Sequence, residues 1–288
     1  MSTLGIGFYR RCTAMLAGRG LRQYRWVNRL NEFVLRQVKT HEAVVLGHRM
    51  QLDRSDSLEL SIRGIYEPLE TRLAQELIRP GGCAVDVGAN IGYYTLLLAR
   101  GVGPRGRVYA FEPEPQNFSL LEKNVRSNGY ANVQLERKAA SDTTGSLQLF
   151  VSRENQGDHR VYASPTESRG SVHIRAVRLD DYFRDEFPEI DLLKMDIQGA
   201  EGHALLGMSE MLRCRPPRAI LTEFWPLGLK RAGSEAARIL QLLEARGYRL
   251  HLLNESTGRT VPMGADELLA RFTVENGHQA NLLAQLAD

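Results

Sequence analysis

At 288 residues and a formal charge of only +3, the chain is long enough for one large domain and too weakly charged to argue for a nucleic-acid partner. Apolar residues make up 43% and charged residues 25%, which excludes a disordered or membrane-embedded chain. Cys12, Cys83 and Cys214 lack metal or redox spacing, which predicts a reducing, cytoplasmic setting, and no apolar run is long enough to span a bilayer.

The first fifty residues carry nine arginines and lysines against Glu32 and Glu42. Val27, Leu30, Phe33, Val34 and Val38 recur at helical spacing, so residues 1–42 are predicted to form a basic helical extension. It either meets an anionic partner, such as a membrane surface or an acyl-carrier protein, or packs as a cap with solvated arginines, which is the plainer reading. Residues 43–46 and 48–52 read as a hairpin around Gly47. Tyr66-Glu67-Pro68 then precedes a helical pattern through Leu69, Leu73, Leu77 and Ile78, stopped by Pro80-Gly81-Gly82.

The next segment is the most informative. Ala84, Val85 and Val87 form a buried strand ending near Asp86, which breaks into Gly88-Ala89-Asn90-Ile91-Gly92 and a helix over residues 93–99. A second strand from Gly106 stops on Glu112. A strand, glycine turn, helix and acid-ended strand form the nucleotide-binding half of a doubly wound α/β domain, the acid accepting from ribose hydroxyls. A pyrophosphate needs bare backbone at the helix start, and here Asn90 occupies the second glycine position. A phosphate-free ligand such as S-adenosylmethionine meets no such obstacle, and Asn90 with the amides around Gly88 can hold its amino-acid end.

A helix over residues 116–128 closes at Gly129, and strands follow at 133–135, 146–151, 172–177, 192–197, 219–224, 248–253 and 280–284. Helices fill 201–212 and 236–246. The alternation predicts a three-layer α/β domain over residues 43–288.

Taken in order, Tyr66-Glu67-Pro68, Val85 to Gly92, Phe111-Glu-Pro-Glu-Pro-Gln-Asn117, Ala140-Ser-Asp142 and Lys194-Met-Asp-Ile-Gln-Gly-Ala-Glu201 resemble the FkbM family of S-adenosylmethionine-dependent methyltransferases. The resemblance runs from about residue 45 to the last strand. It implies a class I methyltransferase fold, Rossmann-like, with a mainly parallel seven-stranded sheet whose last strand is antiparallel. It also implies methyl transfer to a hydroxyl, with polyketide macrolides and sugars among the family's acceptors. Gln198 departs from the pattern, since many members carry Glu there.

Carried over residue by residue, the resemblance places Asp86 at the end of the first strand and Gly88, Asn90 and Gly92 beneath the methionine portion. Glu112 falls at the ribose hydroxyls. Asn117 either helps near the ribose or adenine or caps the following helix. Ser141 and Asp142 fall where this fold meets adenine, Asp142 accepting from its amine or serving as an ordinary turn acid. Tyr93 and Tyr94 either face the sulfonium or pack in the core.

Catalytic candidates gather at the carboxyl end of the sheet, where open α/β folds bind ligands. Lys194 and Asp196, two apart on a strand, share a face, either as an ion pair or as functional groups. Glu201 starts a helix, where an acid is favoured in any case. Glu223 ends the next strand beside Phe224-Trp225-Pro226. The loop Asn155-Gln-Gly-Asp-His-Arg160 offers His159 as a general base; its substitution is expected to spare cofactor binding and slow transfer. Otherwise that loop is a polar hairpin tip. Loops 156–170 and 225–233 are expected to shape the acceptor pocket. A metal held by Asp196 and Glu223 lacks a supporting motif, so none is expected. A nucleic-acid methyltransferase and a non-catalytic cofactor-binding module are the alternatives.

Overall fold

Strands buried on both faces need helices on both sides, and the apolar runs of this chain have that character. The computed structural model describes residues 40–152, 159–162 and 168–287. The expected basic helical extension therefore lies outside the described residues, apart from its last three positions. The chain divides into two units, residues 1–66 and 67–288. In the first, strands β1 (Glu42–Val45) and β2 (His48–Gln51) form the expected antiparallel hairpin, followed by a short helix α1 (Leu60–Arg63).

The second unit begins with helix α2 (Pro68–Glu76) and strand β3 (Cys83–Val87), all five of whose residues are buried. Helix α3 (Tyr93–Val102) buries eight of its ten residues, so it is a core element that rigidly fixes the turn before it. Strand β4 (Arg107–Phe111), helix α4 (Pro115–Ser127) and strand β5 (Val133–Glu136) complete the first half. After them come β6 (Ala139–Ala140), β7 (Gly145–Ser152), β8 (Ser168–Val177) and helix α5 (Leu179–Tyr182). The second half runs β9 (Leu192–Met195), α6 (Glu201–Leu206), α7 (Ser209–Cys214), β10 (Ala219–Phe224), α8 (Pro226–Arg231) and α9 (Ala236–Ala245). It ends with β11 (Tyr248–Asn254), β12 (Arg259–Pro262), α10 (Ala265–Arg271) and β13 (Ala280–Leu286).

The main sheet has the order β12-β11-β13-β10-β9-β3-β4-β5. Strands β10, β9, β3, β4 and β5 are parallel, and β13 runs antiparallel to both neighbours. This is the class I methyltransferase arrangement expected, with eight strands instead of seven. The addition, β12, is a short edge strand ending in proline and has no apolar alternation to announce it. Residues 146–151 and 172–177, expected as strands of this domain, are strands within it but build a separate three-stranded sheet of order β6-β8-β7. It has its own small core of Ala139, Leu149, Ile174 and Ala176.

The single helix expected over residues 201–212 is two helices. The buried carboxylate of Asp180, from α5, accepts from the amides of Glu210 (3.0 Å) and Met211 (2.9 Å), capping α7 from outside. A Cβ at Gly207 would collide with the Ser141 carbonyl, so the chain passes closely here only because the residue is glycine. Residues 192–197 were expected as one strand; β9 stops at Met195, leaving Asp196 and Ile197 in the turn beyond it.

Candidate active site

The parallel strands bring the carboxyl ends of β3, β4, β9 and β10 to one edge. There the turn after β3 has a tightly constrained backbone: Gly88 (φ 82°), Asn90 (φ 51°) and Gly92 (φ 96°) are all left-handed. A Cβ at Gly88 would strike the Asp196 carbonyl, so glycine lets the turn close against the chain leaving β9. Asp86 lies one residue inside β3, not at its end, and accepts from Thr95 Oγ1 at 2.6 Å, tying strand to helix. Burial, opposed by that hydrogen bond, pushes Asp86 up to about 6.

Glu112 follows β4 directly and accepts from two backbone amides, Asn90 (2.8 Å) and Glu114 (2.9 Å). Burial outweighs these donors and raises its carboxyl to about 7. Asn90 Oδ1 is buried with no hydrogen-bond partner. A buried oxygen with unmet hydrogen-bonding capacity, in a turn whose amide already serves Glu112, fits the ammonium end of S-adenosylmethionine. Glu112 retains lone pairs for ribose hydroxyls.

Asn117 lies in the first turn of α4 and does not cap it. The cap is Glu114, whose carboxylate accepts from the Asn117 amide at 2.7 Å. Ser141 and Asp142 follow β6 of the small sheet, not the third strand of the main one. Ser141 Oγ donates to Asp142 Oδ1 (3.2 Å), and His203 Nδ1 lies 2.9 Å from Asp142 Oδ2. His203 Nε2 lies 2.7 Å from the Ala232 carbonyl, so both ring nitrogens face acceptors. Burial opposes the charge, but these two partners hold the imidazole above its ordinary range.

Strand register assembles the transfer side. Asp86 pairs with Lys194, Lys194 with Leu221, and Glu223 with Asn281. Lys194 and Glu223 therefore share one face with Asp86 and Asn281, and Asp196, in the turn beyond β9, comes within 3.8 Å of the Lys194 ammonium. Lys194 is buried, with Nζ 2.9 Å from Glu70 Oε1, 3.8 Å from Asp196 Oδ2 and 4.8 Å over the ring of Tyr94. Burial disfavours its charge, yet Glu70, Asp196 and Glu67 outweigh that and hold the ammonium well above its usual range. Tyr94 thus receives a protein cation on its ring. Tyr93 is buried with its hydroxyl 2.9 Å from Thr71 Oγ1.

Glu223 is 6% exposed and its Oε2 has no partner. Burial, with Asp196 and Glu201 adding and Lys194 opposing, pushes its carboxyl up to about 10, so it carries a proton near neutrality. Glu201 uses both oxygens on the loop backbone, accepting from Ile197 and Gly199 at 3.0 Å each. Gln198 Nε2 donates to Asp196 Oδ1 at 2.8 Å, which a carboxylate at that position could do only when protonated. Among the described residues, no group of three acidic, histidine or cysteine side chains could hold a metal ion.

Of the His159 loop, residues 153–158 lie outside the described residues. His159 Nδ1 accepts from the Ser152 amide at 3.1 Å, and burial lowers its pKa. Arg160 pairs back onto Phe150 and stacks 5.0 Å over the ring of Trp225. Sequence reasoning passed over Glu67 and Glu70 as site residues. They flank Pro68 and Leu69 at a helix start, a position that looks like ordinary capping.

A doubly wound sheet with this turn, ribose acid and polar strand edge defines a class I methyltransferase. The profile of the Methyltransferase FkbM domain matches residues 86–250, more than half of the chain, and the protein belongs to that family. Its cofactor is S-adenosylmethionine. Among relatives, methyltransferase sdnD of Sordaria araneosa is 28% identical over 195 residues, covering 57% of this chain and 72% of the relative. The hexuronic acid methyltransferase AglP of Haloferax volcanii is 28% identical over 130 residues, 44% of this chain and 50% of its own. The 2-O-methyltransferase NoeI of Sinorhizobium fredii is 26% identical over 201 residues, 62% and 80% respectively. A fibrillarin of Aeropyrum pernix solved with S-adenosylmethionine aligns at TM-score 0.42 and 16% identity over 75% of this chain and 74% of that one. No helix among the described residues is long and apolar enough to cross a membrane.

Proposed function

We propose that the protein transfers the methyl group of S-adenosylmethionine to a hydroxyl of a sugar, glycan or secondary metabolite, by in-line displacement with general-base assistance. The observation carrying this reading is that Lys194 and Glu223, on one face of the sheet, and Asp196, in the turn beyond β9, gather beside the cofactor turn. Two relatives named for a hexuronic acid and for 2-O-methylation support a sugar hydroxyl.

The bound cofactor supplies an activated methyl carbon on a sulfonium. An aliphatic hydroxyl is about as weak an acid as water, pKa roughly 15.7, so no side chain ionises it in advance. Holding the reactants in line contributes roughly 7–11 kcal/mol. A positioned base adds about 10²–10⁴-fold as the proton loosens. In this reading Asp86, Gly88, Asn90, Gly92 and Glu112 hold the cofactor, with Asn117, Ser141 and Asp142 on its ribose and adenine side. Lys194 is a fixed charge that opposes the burial raising the Glu70 carboxyl. Asp196 meets cofactor or acceptor, and protonated Glu223 donates to an acceptor oxygen. Free Cys83 and Cys214 agree with a cytoplasmic setting. The basic N-terminus serves as a docking segment or a cap.

The test is transfer of labelled methyl from the cofactor to an array of sugars, glycans and macrolides, with product analysis by atom. Label on a hydroxyl oxygen supports the reading; label only on nitrogen or carbon removes it.

A further inference from the structure

Glu67 occupies the position from which a residue normally caps a helix, and it does not cap. Its side chain makes no bond to the α2 amides. Those donors go instead to Glu255, in the turn after β11, whose two oxygens accept from Leu69 and Glu70 at 3.1 Å each. The Glu67 backbone is left-handed (φ 40°, ψ 74°), an unfavourable conformation for a residue with a Cβ, and of the kind that clusters at functional sites. Its carboxylate turns toward the transfer edge. There Oε1 accepts from Asn281 Nδ2 at 2.9 Å, and Oε2 from the Tyr94 hydroxyl at 3.2 Å. Asn281 is the register partner of Glu223, and Tyr94 lies two residues past the glycine turn.

The other acids at this edge are each enclosed or paired. Glu70 is fully buried against Lys194, and Glu201 is consumed by loop amides. Asp196 is held by Gln198 and faces Lys194, and Glu223 is a buried acid with an oxygen lacking any partner. His159 offers its accepting nitrogen to the Ser152 amide. Glu67 is half-buried, is oriented by two donors, and keeps a lone pair free on each oxygen.

We propose, on the reading that this edge carries methyl transfer, that Glu67 is the catalytic base. As the acceptor atom bonds the methyl carbon, the carbon–sulfur bond breaks with its electron pair going to sulfur. The proton on the acceptor passes to the Glu67 carboxylate. Product release and exchange with water return Glu67 to its ionised form. The groups facing it are Glu70 from its own helix, Tyr94 from α3, Lys194 and Asp196 from β9 and its exit, Glu223 from β10 and Asn281 from β13. Burial and Glu70, opposed by Lys194, push its carboxyl up to about 7, which suits a base at neutral pH.

The experiment compares wild type with Glu67→Gln, Glu67→Asp and Tyr94→Phe on whichever acceptor the wild type methylates. For Glu67→Gln the expected result is turnover reduced about 100-fold or more, with S-adenosylhomocysteine affinity within about threefold by calorimetry. Glu67→Asp recovers part of the rate. At saturating cofactor the wild-type rate profile has an acidic limb near pH 7, where the carboxyls of Glu67, Glu112 and Glu201 all titrate in carbon NMR of glutamate-labelled protein; Glu67→Gln loses the limb and one of the three signals and leaves the other two in place. Tyr94→Phe removes a donor to the ionised form and moves the limb upward. Turnover above a third of wild type in Glu67→Gln, an unchanged limb in Tyr94→Phe, or equal loss of cofactor binding and transfer would overturn the assignment. Transfer to nitrogen alone would instead remove the hydroxyl reading, and the same variants would still judge Glu67.

Discussion

The cofactor turn and the transfer edge lie side by side but are built differently. The turn is held largely through backbone groups: Glu112 takes amides from Asn90 and Glu114, and Gly88 closes on the chain leaving β9. The transfer edge draws Glu67 and Glu70 from α2, Lys194 from β9, Glu223 from β10 and Asn281 from β13, around a lone lysine. Backbone donors neutralise the first region locally. In the second, side chains from across the fold neutralise one another, so it depends far more on each member being present.

The largest test of that contrast is Lys194→Met. It leaves Glu70 buried without its counter-charge, and the expected cost is about 3–5 kcal/mol in denaturant unfolding. Replacing Glu70 by Leu as well removes the stranded carboxyl and should recover most of the loss. A single variant costing under about 1 kcal/mol would mean the ion pair is not holding the edge together. In the turn, Glu112→Ala strands two amides and removes the ribose acceptor. Cofactor affinity should fall about 100-fold or more by calorimetry, with smaller loss of stability, since charge-assisted hydrogen bonds contribute roughly 1.5–3 kcal/mol each.

Titration probes both regions at once. Burial raises Asp86 to about 6, Glu67, Glu112 and Glu201 to about 7, and Glu223 to about 10. In an unfolded chain these groups ionise near pH 4. Between that pH and the raised values the folded protein binds more protons than the unfolded one, so its stability falls as pH rises. Each such group contributes up to about 1.4 kcal/mol per pH unit. Cofactor-free protein should therefore unfold at lower denaturant at pH 7 than at pH 5.5. Cofactor should bind more tightly as pH rises through 7, because ribose hydroxyls donate best to ionised Glu112. Rising stability across that window would show that the edge is ionised and solvated.

The contrast also explains what could be read from sequence. Gly88, Asn90, Gly92 and Glu112 were legible because strand, turn and acid follow one another along the chain, and Lys194 with Asp196 because they stand two apart at a strand exit, although the strand itself stops at Met195. Glu70 as the partner of Lys194 was not, since it comes from a helix more than a hundred residues earlier and only register and packing bring it there. Glu67 was hidden by its position, where an acid reads as a cap until Glu255 is seen to do that work. Strands β6 and β12 carry too few residues for a period, and the break between α6 and α7 depends on Asp180 arriving from outside.

The smallest expected effect lies at Gln198, the departure from the family's Glu. Its amide donates to Asp196 Oδ1, and its own backbone is left-handed at φ 54°. Gln198→Glu replaces a donor by a second acceptor beside Asp196. Stability should change by less than about 1 kcal/mol, because the position is only half-buried. Turnover should fall about threefold to tenfold, and the acidic limb should move upward as added negative charge makes neighbouring carboxyls harder to ionise. Gln198→Ala separates the two causes, since it removes the donor without adding charge. If Ala reproduces the full loss, orientation of Asp196 is what the glutamine supplies; if Glu alone slows transfer, the edge is limited by its accumulated negative charge.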